Sequence, residues 1–350
     1  MMKSFDSTAP NRYDITIIGG GPAALYGAFY AGLRQMSVKI VDSLPELGGQ
    51  LSALYPEKLV FDMPGFPRIL ARDLANSLIE QAMAYSPTVC LGERVVALDH
   101  LDENWIALTT DRNVHITRTV LIAAGIGSFT PRNMPVPGID TFLDRGVYYS
   151  VRDKEQFRGK RVVIVGGGDS ACDWALDLVD VAEHVTLIHR RDVFRAHEET
   201  VKRVITSPVE VRLFETLEEV IGADTVEQVR TRNLRDKTET TLDADVVLLA
   251  IGFTASLGPI LEWNLNTERK HRIRVDSTMA TNLPGVFAAG DVVTYPGKLD
   301  LIATGVSEAA VAVNHAKRHI DPTAKVEPGH SSDMDTSVKN VKVGEESRGE

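Results

Sequence analysis

Two stretches of the chain align without a gap and decide its fold: DITIIGGGPAALYGAFYAGLRQMSVKIVD (residues 14–42) and RVVIVGGGDSACDWALDLVDVAEHVTLIH (residues 161–189). Each joins a β-branched run, the pattern G-x-G-x-x-A, a helical segment and a second β-branched run. In such a unit one glycine makes a tight turn, the next lets the backbone approach a pyrophosphate, and the small third residue lets the helix pack on the strand. The pyrophosphate would bind the free N–H groups at the helix N-terminus. The pattern predicts two dinucleotide-binding units, with Gly19, Gly21 and Ala24 in one and Gly166, Gly168 and Ala171 in the other.

The two units differ at the tip of the second strand. The first has Asp42 there, whose carboxylate would accept hydrogen bonds from ribose hydroxyls and repel a 2′-phosphate. The second has Arg190 and Arg191, with Arg195 four residues beyond, and guanidinium groups bind phosphate bidentately. The first unit therefore suits an unphosphorylated adenosine ribose and the second suits NADP, the alternative being that these arginines are an ordinary solvated strand end.

Length and composition set the broad class. A chain of 350 residues predicts two domains, and 43% hydrophobic with 25% charged residues is ordinary for a globular protein. No apolar run approaches the roughly 20 residues of a membrane span, and the polar start lacks a signal-peptide core, so we expect a cytoplasmic protein. The net charge of −10 argues against nucleic-acid binding. Cys90 and Cys172 are the only cysteines and lie far apart, so we predict neither a disulfide framework nor a metal site, and we expect Cys172 to be an inert packing residue.

Two similar strand exits indicate how the domains are connected. VLIAAGIGSFTPR (residues 120–132) and VVLLAIGF (residues 246–253) each read as a strand followed by a glycine turn, and together they would bracket an inserted domain. We therefore predict an α/β protein with two Rossmann-like dinucleotide-binding domains, the second inserted into the first. The first domain would comprise residues 1–128 and 255–330 and the second residues 129–254. The polar segment 331–350 is predicted to be a partly disordered tail.

The motifs together resemble the flavoprotein disulfide reductases with two dinucleotide domains, and within them the small thioredoxin-reductase-like branch. In that branch the first glycine loop binds FAD and the second binds NADPH, and a C-x-x-C pair lies just before the second loop. Here the corresponding segment, GVYYSVRDKEQFRGK (residues 146–160), has no cysteine. Without a dithiol there is no thiolate to attack a substrate disulfide, so disulfide reduction is not expected.

The chain is most similar to the thioredoxin-reductase-like ferredoxin–NADP⁺ reductases within this branch. The shared segments are GGGDSAxDWA at residues 166–175, LSALYPEK at 51–58, YPGKxxLIATG at 295–305 and PGHSS at 328–332. The resemblance implies that Tyr55 stacks on one face of the flavin, and that His330 and Ser331 cover the other. It also implies a homodimer in which the C-terminal segment reaches the partner's flavin.

Carried over position by position, the resemblance gives a set of binding residues for each cofactor and no catalytic side chain beyond the flavin itself. The residues expected at FAD are Gly19, Gly21, Ala23, Ala24, Asp42, Gly49, Gln50, Tyr55, Val95, Phe129, Gly290, Asp291 and Ser331. The residues expected at NADPH are Gly166, Gly168, Asp169, Ser170, Ala171, Arg190, Arg191 and Arg195.

The resemblance implies hydride transfer between NADPH and flavin, followed by single-electron transfer to or from ferredoxin or flavodoxin. Two alternatives stay open at this point: an NADPH-dependent flavoprotein reductase of a small acceptor such as a quinone, and a non-catalytic NADPH or redox sensor. Because ferredoxins are acidic, docking needs a local basic face. We expect this face to draw on basic residues in the segments near the proposed FAD site, namely Arg34, Lys58, Arg68, Arg72 and Lys298.

Overall fold

The computed structural model of the protein describes residues 12–268, 272–327 and 329, and the backbone alone of residues 128–131 and 255. The described chain forms two compact units. The first contains the described residues up to Ala53, then Lys58–Ser128, and those from Ser256 onward; the second contains Leu54–Glu57 and Phe129–Ala255. The tail predicted for residues 331–350 lies outside the described residues, as does His330.

Six helices and 22 strands are found in the described residues. The helices are α1 (Pro22–Leu33), α2 (Gln50–Ala53), α3 (Ala71–Met83), α4 (Asp169–Leu178), α5 (Glu198–Thr206) and α6 (Ile302–Ile320). The strands before the second glycine loop are β1 (Arg12–Ile18), β2 (Val38–Asp42), β3 (Leu59–Val60), β4 (Ile69–Leu70), β5 (Thr88–Leu91), β6 (Val95–His100), β7 (Ile106–Thr110), β8 (Val114–Ile122), β9 (Ser128–Pro131) and β10 (Val147–Tyr148). The remaining strands are β11 (Arg161–Gly166), β12 (His184–His189), β13 (Glu210–Leu213), β14 (Glu215–Gly222), β15 (Val226–Asn233), β16 (Glu239–Asp243), β17 (Val246–Ala250), β18 (Phe253–Ser256), β19 (Thr267–Glu268), β20 (Arg272–Arg274), β21 (Val286–Ala288) and β22 (Val293–Thr294).

The main sheet of the first unit has the strand order β5-β2-β1-β8-β7-β6. The pairs from β5 to β8 are parallel, whereas β8-β7-β6 is an antiparallel meander. β8 has two partners on the same side, because its first half pairs with β7 and its last residues pair in parallel with β21. The carboxyl ends of β1, β2, β8 and β21 therefore meet at one edge, which is where parallel sheets bind ligands.

The second unit has a fully parallel sheet of order β10-β17-β11-β12-β13 and a separate antiparallel sheet β14-β15-β16. Alternate residues of β11 enter two different cores. Val162 and Ile164 pack with Trp174 of α4, whereas Val163 and Val165 pack with residues of the antiparallel sheet such as Val229. A strand buried on both faces needs a continuous apolar run, which is what RVVIVG provides. The α/β class with two parallel-sheet units, predicted from the two aligned stretches, is confirmed.

Candidate dinucleotide sites

The first glycine loop connects β1 to α1 and is closely packed. Gly19 has φ +110°, and a Cβ there would lie 2.4 Å from the carbonyl oxygen of Ala123. Gly21 is the N-cap of α1 and has no capping side chain, so the first-turn N–H groups of the helix are not occupied by a cap. Pro22 at the first helical position lacks an N–H that would in any case have no partner inside the helix.

A second glycine pair packs directly on this loop. Gly48 and Gly49 have φ +107° and +59°, and a Cβ on Gly49 would lie 2.8 Å from the Cα of Gly21. The Gly48 N–H donates to the Gly20 carbonyl at 2.8 Å. Only glycine allows two backbones to approach in this way. Gln50 follows at the start of α2, and its Nε2 lies 3.5 Å from where a Cβ on Gly125 would be.

Asp42 is the last residue of β2 and lies buried beside the loop. Its Oδ1 accepts from the Leu44 N–H at 3.0 Å, and a Cβ on Gly20 would lie 2.6 Å from its Oδ2. Burial raises the pKa of Asp42, while backbone N–H groups of Leu44, Gly20 and Ser43 oppose that shift. The structure thus holds a carboxylate in a desolvated place at the strand tip, where a hydroxyl donor would be a favourable partner.

Gly290 and Asp291 follow β21 and contact two helices. Gly290 has φ +86°, and a Cβ on it would lie 3.3 Å from the Cβ of Ala23 in α1. On the other side, a Cβ on Gly305 of α6 would lie 3.2 Å from the Cα of Gly290. Asp291 is half-buried; burial raises its pKa, the nearby Asp300 and Glu308 raise it further, and Lys298 and Arg272 act in the opposite direction.

Glu308 of α6 is a buried acid beside this turn, and the sequence patterns above do not single it out. Its Oε2 accepts from the Gly290 N–H at 2.8 Å, and its Oε1 accepts from Tyr295 Oη at 2.6 Å and from Lys298 Nζ at 2.7 Å. Gly305 and Glu308 are three residues apart, so both lie on the helix face that meets Gly290. The sequence does contain one feature that could have identified Glu308: it is a glutamate on the otherwise apolar face of the helical segment ATGVSEAAVAV.

For four further predicted FAD residues the structure describes few surroundings or none. Val95 is buried at the start of β6. Tyr55 is half-buried and belongs to the short segment Leu54–Glu57, which groups with the second unit. Of Phe129 only the backbone, in β9, is described, and Ser331 lies outside the described residues together with His330. The roles predicted for these residues stay predictions.

The second glycine loop connects β11 to α4. A Cβ on Gly166 would lie 2.5 Å from the Ala250 carbonyl oxygen and 2.7 Å from the Cβ of Ala171. The neighbouring Gly167 lies against the ring of His189, since a Cβ there would approach that ring to 2.1 Å. Burial lowers the pKa of His189, and the charges of Arg190 and Arg191 lower it further, so its imidazole is neutral at pH 7.

The loop that carries the arginines is tied to this glycine loop by its backbone. The Arg195 N–H donates to the Gly167 carbonyl at 2.7 Å, and the His197 N–H donates to Asp169 Oδ1 at 3.0 Å. Gly168 is the N-cap of α4, and a Cβ on it would meet nothing within 4 Å. The side chains of Asp169, Ser170, Arg190, Arg191 and Arg195 are exposed. The structure thus places the backbone of Arg195 against the second glycine loop, and it gives Asp169 a loop-fixing hydrogen bond that the sequence did not predict. The phosphate-binding role of Arg190, Arg191 and Arg195 stays a prediction.

Neither cysteine has the properties of a reactive thiol. Cys172 is fully buried in α4, and burial together with Asp173 and Asp169 raises its pKa to about 11. Burial also raises the pKa of Cys90. Both side chains are therefore protonated thiols at neutral pH, in agreement with the expectation of an inert Cys172.

Cys90, Glu93 and His115 place one potential metal ligand each within 4.8 Å of one another. Lys39 Nζ lies 3.0 Å from His115 Nδ1, and His115 Nε2 lies 2.9 Å from Glu93 Oε2. Because an ammonium group only donates, Nδ1 must accept and Nε2 must carry the proton given to Glu93. Burial raises the pKa of Glu93, but hydrogen bonds led by that from His115 outweigh it and hold the pKa below its usual value. The Lys39 charge opposes a cation here, and the absence of a metal site stays a prediction.

Two members of the predicted basic docking face are not available for docking. The Lys298 side chain is only 4% exposed and is paired with Glu308. Arg34 is buried, and its Nη2 donates to the Lys325 carbonyl at 2.6 Å. Including these two residues was therefore wrong, because tertiary burial cannot be read from the local sequence. Lys58, Arg68 and Arg72 are exposed, and their part in docking stays a prediction.

The match that covers most of the chain defines its class: the protein belongs to the pyridine nucleotide-disulphide oxidoreductase family, whose model matches residues 13–316. Curated relatives within it are ferredoxin–NADP reductases. The protein from Geobacillus thermodenitrificans (strain NG80-2) is 47% identical over 325 residues, covering 93% of this chain and 98% of the relative. Ferredoxin–NADP reductase 2 from Bacillus cytotoxicus is 49% identical over 324 residues, with the same coverage.

Solved structures with a similar fold are thioredoxin reductases. The enzyme from Lactococcus lactis has a TM-score of 0.72 and 27% identity, with 88% of this chain and 99% of that chain covered. The enzyme from T. acidophilum has a TM-score of 0.73 and 25% identity, with 88% and 98% covered. The predicted resemblance to the thioredoxin-reductase-like ferredoxin–NADP⁺ reductases is thereby confirmed. Within the described ranges, no helix combines the length and the hydropathy that a membrane span requires.

Proposed function

We propose that this protein is an FAD-dependent ferredoxin–NADP⁺ reductase of the cytoplasm, moving electrons between NADPH and ferredoxin or flavodoxin. The observation that carries the proposal is the contrast between the two strand tips. A buried carboxylate, Asp42, lies at the first. At and just beyond the second, three arginines are exposed, and the N-cap of α4, Gly168, has no capping side chain. The relatives named ferredoxin–NADP reductase, matched over 98% of their length, support the same assignment.

The first unit fits FAD through its backbone. There is no room for a Cβ on Gly19, and Gly49 packs directly against Gly21. Backbone without side chains therefore lines the place where a pyrophosphate would lie. Asp42 would accept from the adenosine ribose, and Asp291 from the ribityl chain. When bound, FAD supplies the chemistry, accepting a hydride from NADPH and exchanging electrons singly with the carrier. Ala23, Ala24, Gln50, Val95, Phe129 and Gly290 complete the proposed lining.

The second unit would bind NADPH as a substrate. The N–H groups of α4 would receive the pyrophosphate through the space beside Gly168. Arg190, Arg191 and Arg195 would bind the 2′-phosphate and so select NADPH over NADH. The Arg195–Gly167 and His197–Asp169 hydrogen bonds would hold that loop in register with the glycine loop, so that both phosphates are met by one rigid surface.

We further propose that the protein is a homodimer in which Tyr55 stacks on one flavin face, and His330 with Ser331 covers the other face of the partner's flavin. Removing residues 330–350 should leave FAD bound, but should change the flavin absorption envelope and the rate of flavin reduction by NADPH. Removing residues 336–350 alone is the control and should change neither. Identical spectra and rates for both truncations would remove the covering role from His330.

The decisive experiment is reduction of cytochrome c by NADPH with and without added ferredoxin, preceded by an absorption spectrum of the purified protein. The proposal expects a flavin spectrum and a rate that depends on ferredoxin. A flavin spectrum with fast quinone reduction and no ferredoxin dependence would instead identify a small-acceptor reductase. A protein that binds NADPH without turnover would be a sensor.

A further inference from the structure

The Gly290–Asp291 turn is hydrogen-bonded to a buried group of three side chains, Glu308, Tyr295 and Lys298. Glu308 accepts from the Gly290 N–H at 2.8 Å, from Tyr295 at 2.6 Å and from Lys298 at 2.7 Å. The side chains of Lys298 and Glu308 are each 4% exposed. Because Tyr295 has its pKa raised to about 12, mainly by burial, it remains a hydroxyl donor to Glu308 throughout the physiological range.

This arrangement is a poor source of stability. Taking both charges out of water costs several kcal/mol per ion in typical proteins, and the mutual attraction commonly does no more than offset that cost. Exchanging such an ion pair alone for apolar side chains is often neutral or stabilising. Here the exchange would also leave the Gly290 N–H and the Tyr295 hydroxyl without their acceptor. What the acid provides, and an apolar side chain would lack, is an acceptor fixed at Gly290. That glycine has φ +86° and is enclosed by Ala23 and Gly305, so its N–H is aimed at α6.

We propose that Glu308 is a positioning residue for FAD: it fixes the Gly290 backbone, and through it the carboxylate of Asp291, in the conformation that binds the cofactor. The inference rests on the proposed function, since it assigns Glu308 to the proposed FAD site. Glu308 acts through its hydrogen bond to Gly290. Lys298 and Tyr295 orient the carboxylate by engaging its other oxygen, and Lys298 balances its charge.

Two double variants separate this role from that of the ion pair. K298M/E308Q and K298M/E308L both remove the buried charges. The glutamine oxygen can still accept from Gly290, whereas leucine can accept from neither Gly290 nor Tyr295. The glutamine variant should bind FAD within about threefold of the parent, whereas the leucine variant should bind it about tenfold or more weakly, as expected for one lost buried hydrogen bond. FAD affinity would be measured by quenching of flavin fluorescence on titration of apoprotein.

Further readouts distinguish positioning from a general effect on folding. The affinity for NADP⁺ should be the same in the two double variants, and the flavin circular dichroism should change only in the leucine variant. S307A, an exposed neighbour on α6, is the control and should match the parent throughout. Equal FAD affinities for the two double variants would overturn the inference.

A single variant keeps the proposal testable if the leucine protein does not fold. E308D retains a carboxylate beside Lys298 but shortens its reach toward Gly290, and it should weaken FAD about tenfold if the Gly290 contact is what counts. FAD affinity at the parental level in E308D would contradict the positioning role. The proposed function fails separately, because in that case the parent protein itself would not bind FAD.

Discussion

The two glycine loops have the same sequence pattern but are enclosed to different degrees. The first glycine of each loop is closely packed, because a Cβ on Gly19 or on Gly166 would lie within 3 Å of a neighbouring carbonyl oxygen. At the third glycine the loops differ: Gly49 packs directly on Gly21, whereas a Cβ on Gly168 would meet nothing within 4 Å. The acid at the first strand tip is buried, and the arginines at the second are exposed. A closed site suits a ligand that remains bound through many turnovers, and an open one suits a ligand that must leave. The same local motif thus serves a resident cofactor and an exchanging substrate.

The largest expected effect comes from a methyl group at the packed Gly19 of the first loop, compared with one at the open Gly168 of the second. Gly19→Ala combines a strained φ of +110° with a contact of 2.4 Å, each costing about 1–3 kcal/mol, and should yield protein without FAD and with a lower thermal midpoint. Gly168→Ala should leave FAD content and thermal midpoint unchanged and raise only the KM for NADPH. Flavin content and differential scanning fluorimetry measure both. Similar losses of FAD in the two variants would break the comparison.

The exposed arginines provide the next largest effect. Arg190→Ala or Arg191→Ala should raise the KM for NADPH about 10- to 100-fold, because each removes a charge-assisted contact to the 2′-phosphate, and should leave the KM for NADH nearly unchanged. Arg203→Ala, exposed on α5, is the matched control and should have no effect. Equal losses for NADPH and NADH would show that these arginines do not bind the phosphate.

Docking of the electron carrier should respond more modestly. Arg68 is exposed in the first unit, so Arg68→Glu should raise the ferredoxin KM several-fold at low salt, and the difference from the parent should shrink as the screening length falls to about 10 Å. Arg112→Glu, on the turn between β7 and β8, serves as the charge-matched control. A ferredoxin KM that does not depend on salt in the parent would refute an electrostatic docking face.

The smallest effect is expected from the thiols. Cys90→Ala together with Cys172→Ala should leave ferredoxin-dependent turnover within a few-fold of the parent, because burial keeps both groups protonated, with the pKa of Cys172 at about 11. The parent should also fail to reduce thioredoxin at enzymatic rates. Loss of turnover in the double variant, with FAD still bound, would reveal a thiol step.

The parts of the fold that could be predicted are those that depend on residues close together in the sequence. Strand, glycine loop and helix follow one another within each aligned stretch, so β1-α1-β2 and β11-α4-β12 were visible as patterns. The burial of individual side chains was not visible in the local sequence, because it depends on residues far along the chain. Arg34 and Lys298 were mistaken for surface cations for this reason. Glu308 was missed because its contacts with Gly290, Tyr295 and Lys298 form only when α6 folds back onto the turn.

The double pairing of β8 has a consequence for the order in which the protein folds. The last residues of β8 need β21, and the main part of the second unit, Phe129–Ala255, is synthesised between those two strands. This part of the second unit can close its parallel sheet once β17 has been made. The first unit can be completed only after β21 and α6 have been synthesised, and until then one edge of β8 is unpaired. Such long-range pairing folds slowly and leaves an edge open to wrong partners. We therefore expect the newly made N-terminal half to be the aggregation-prone species during synthesis.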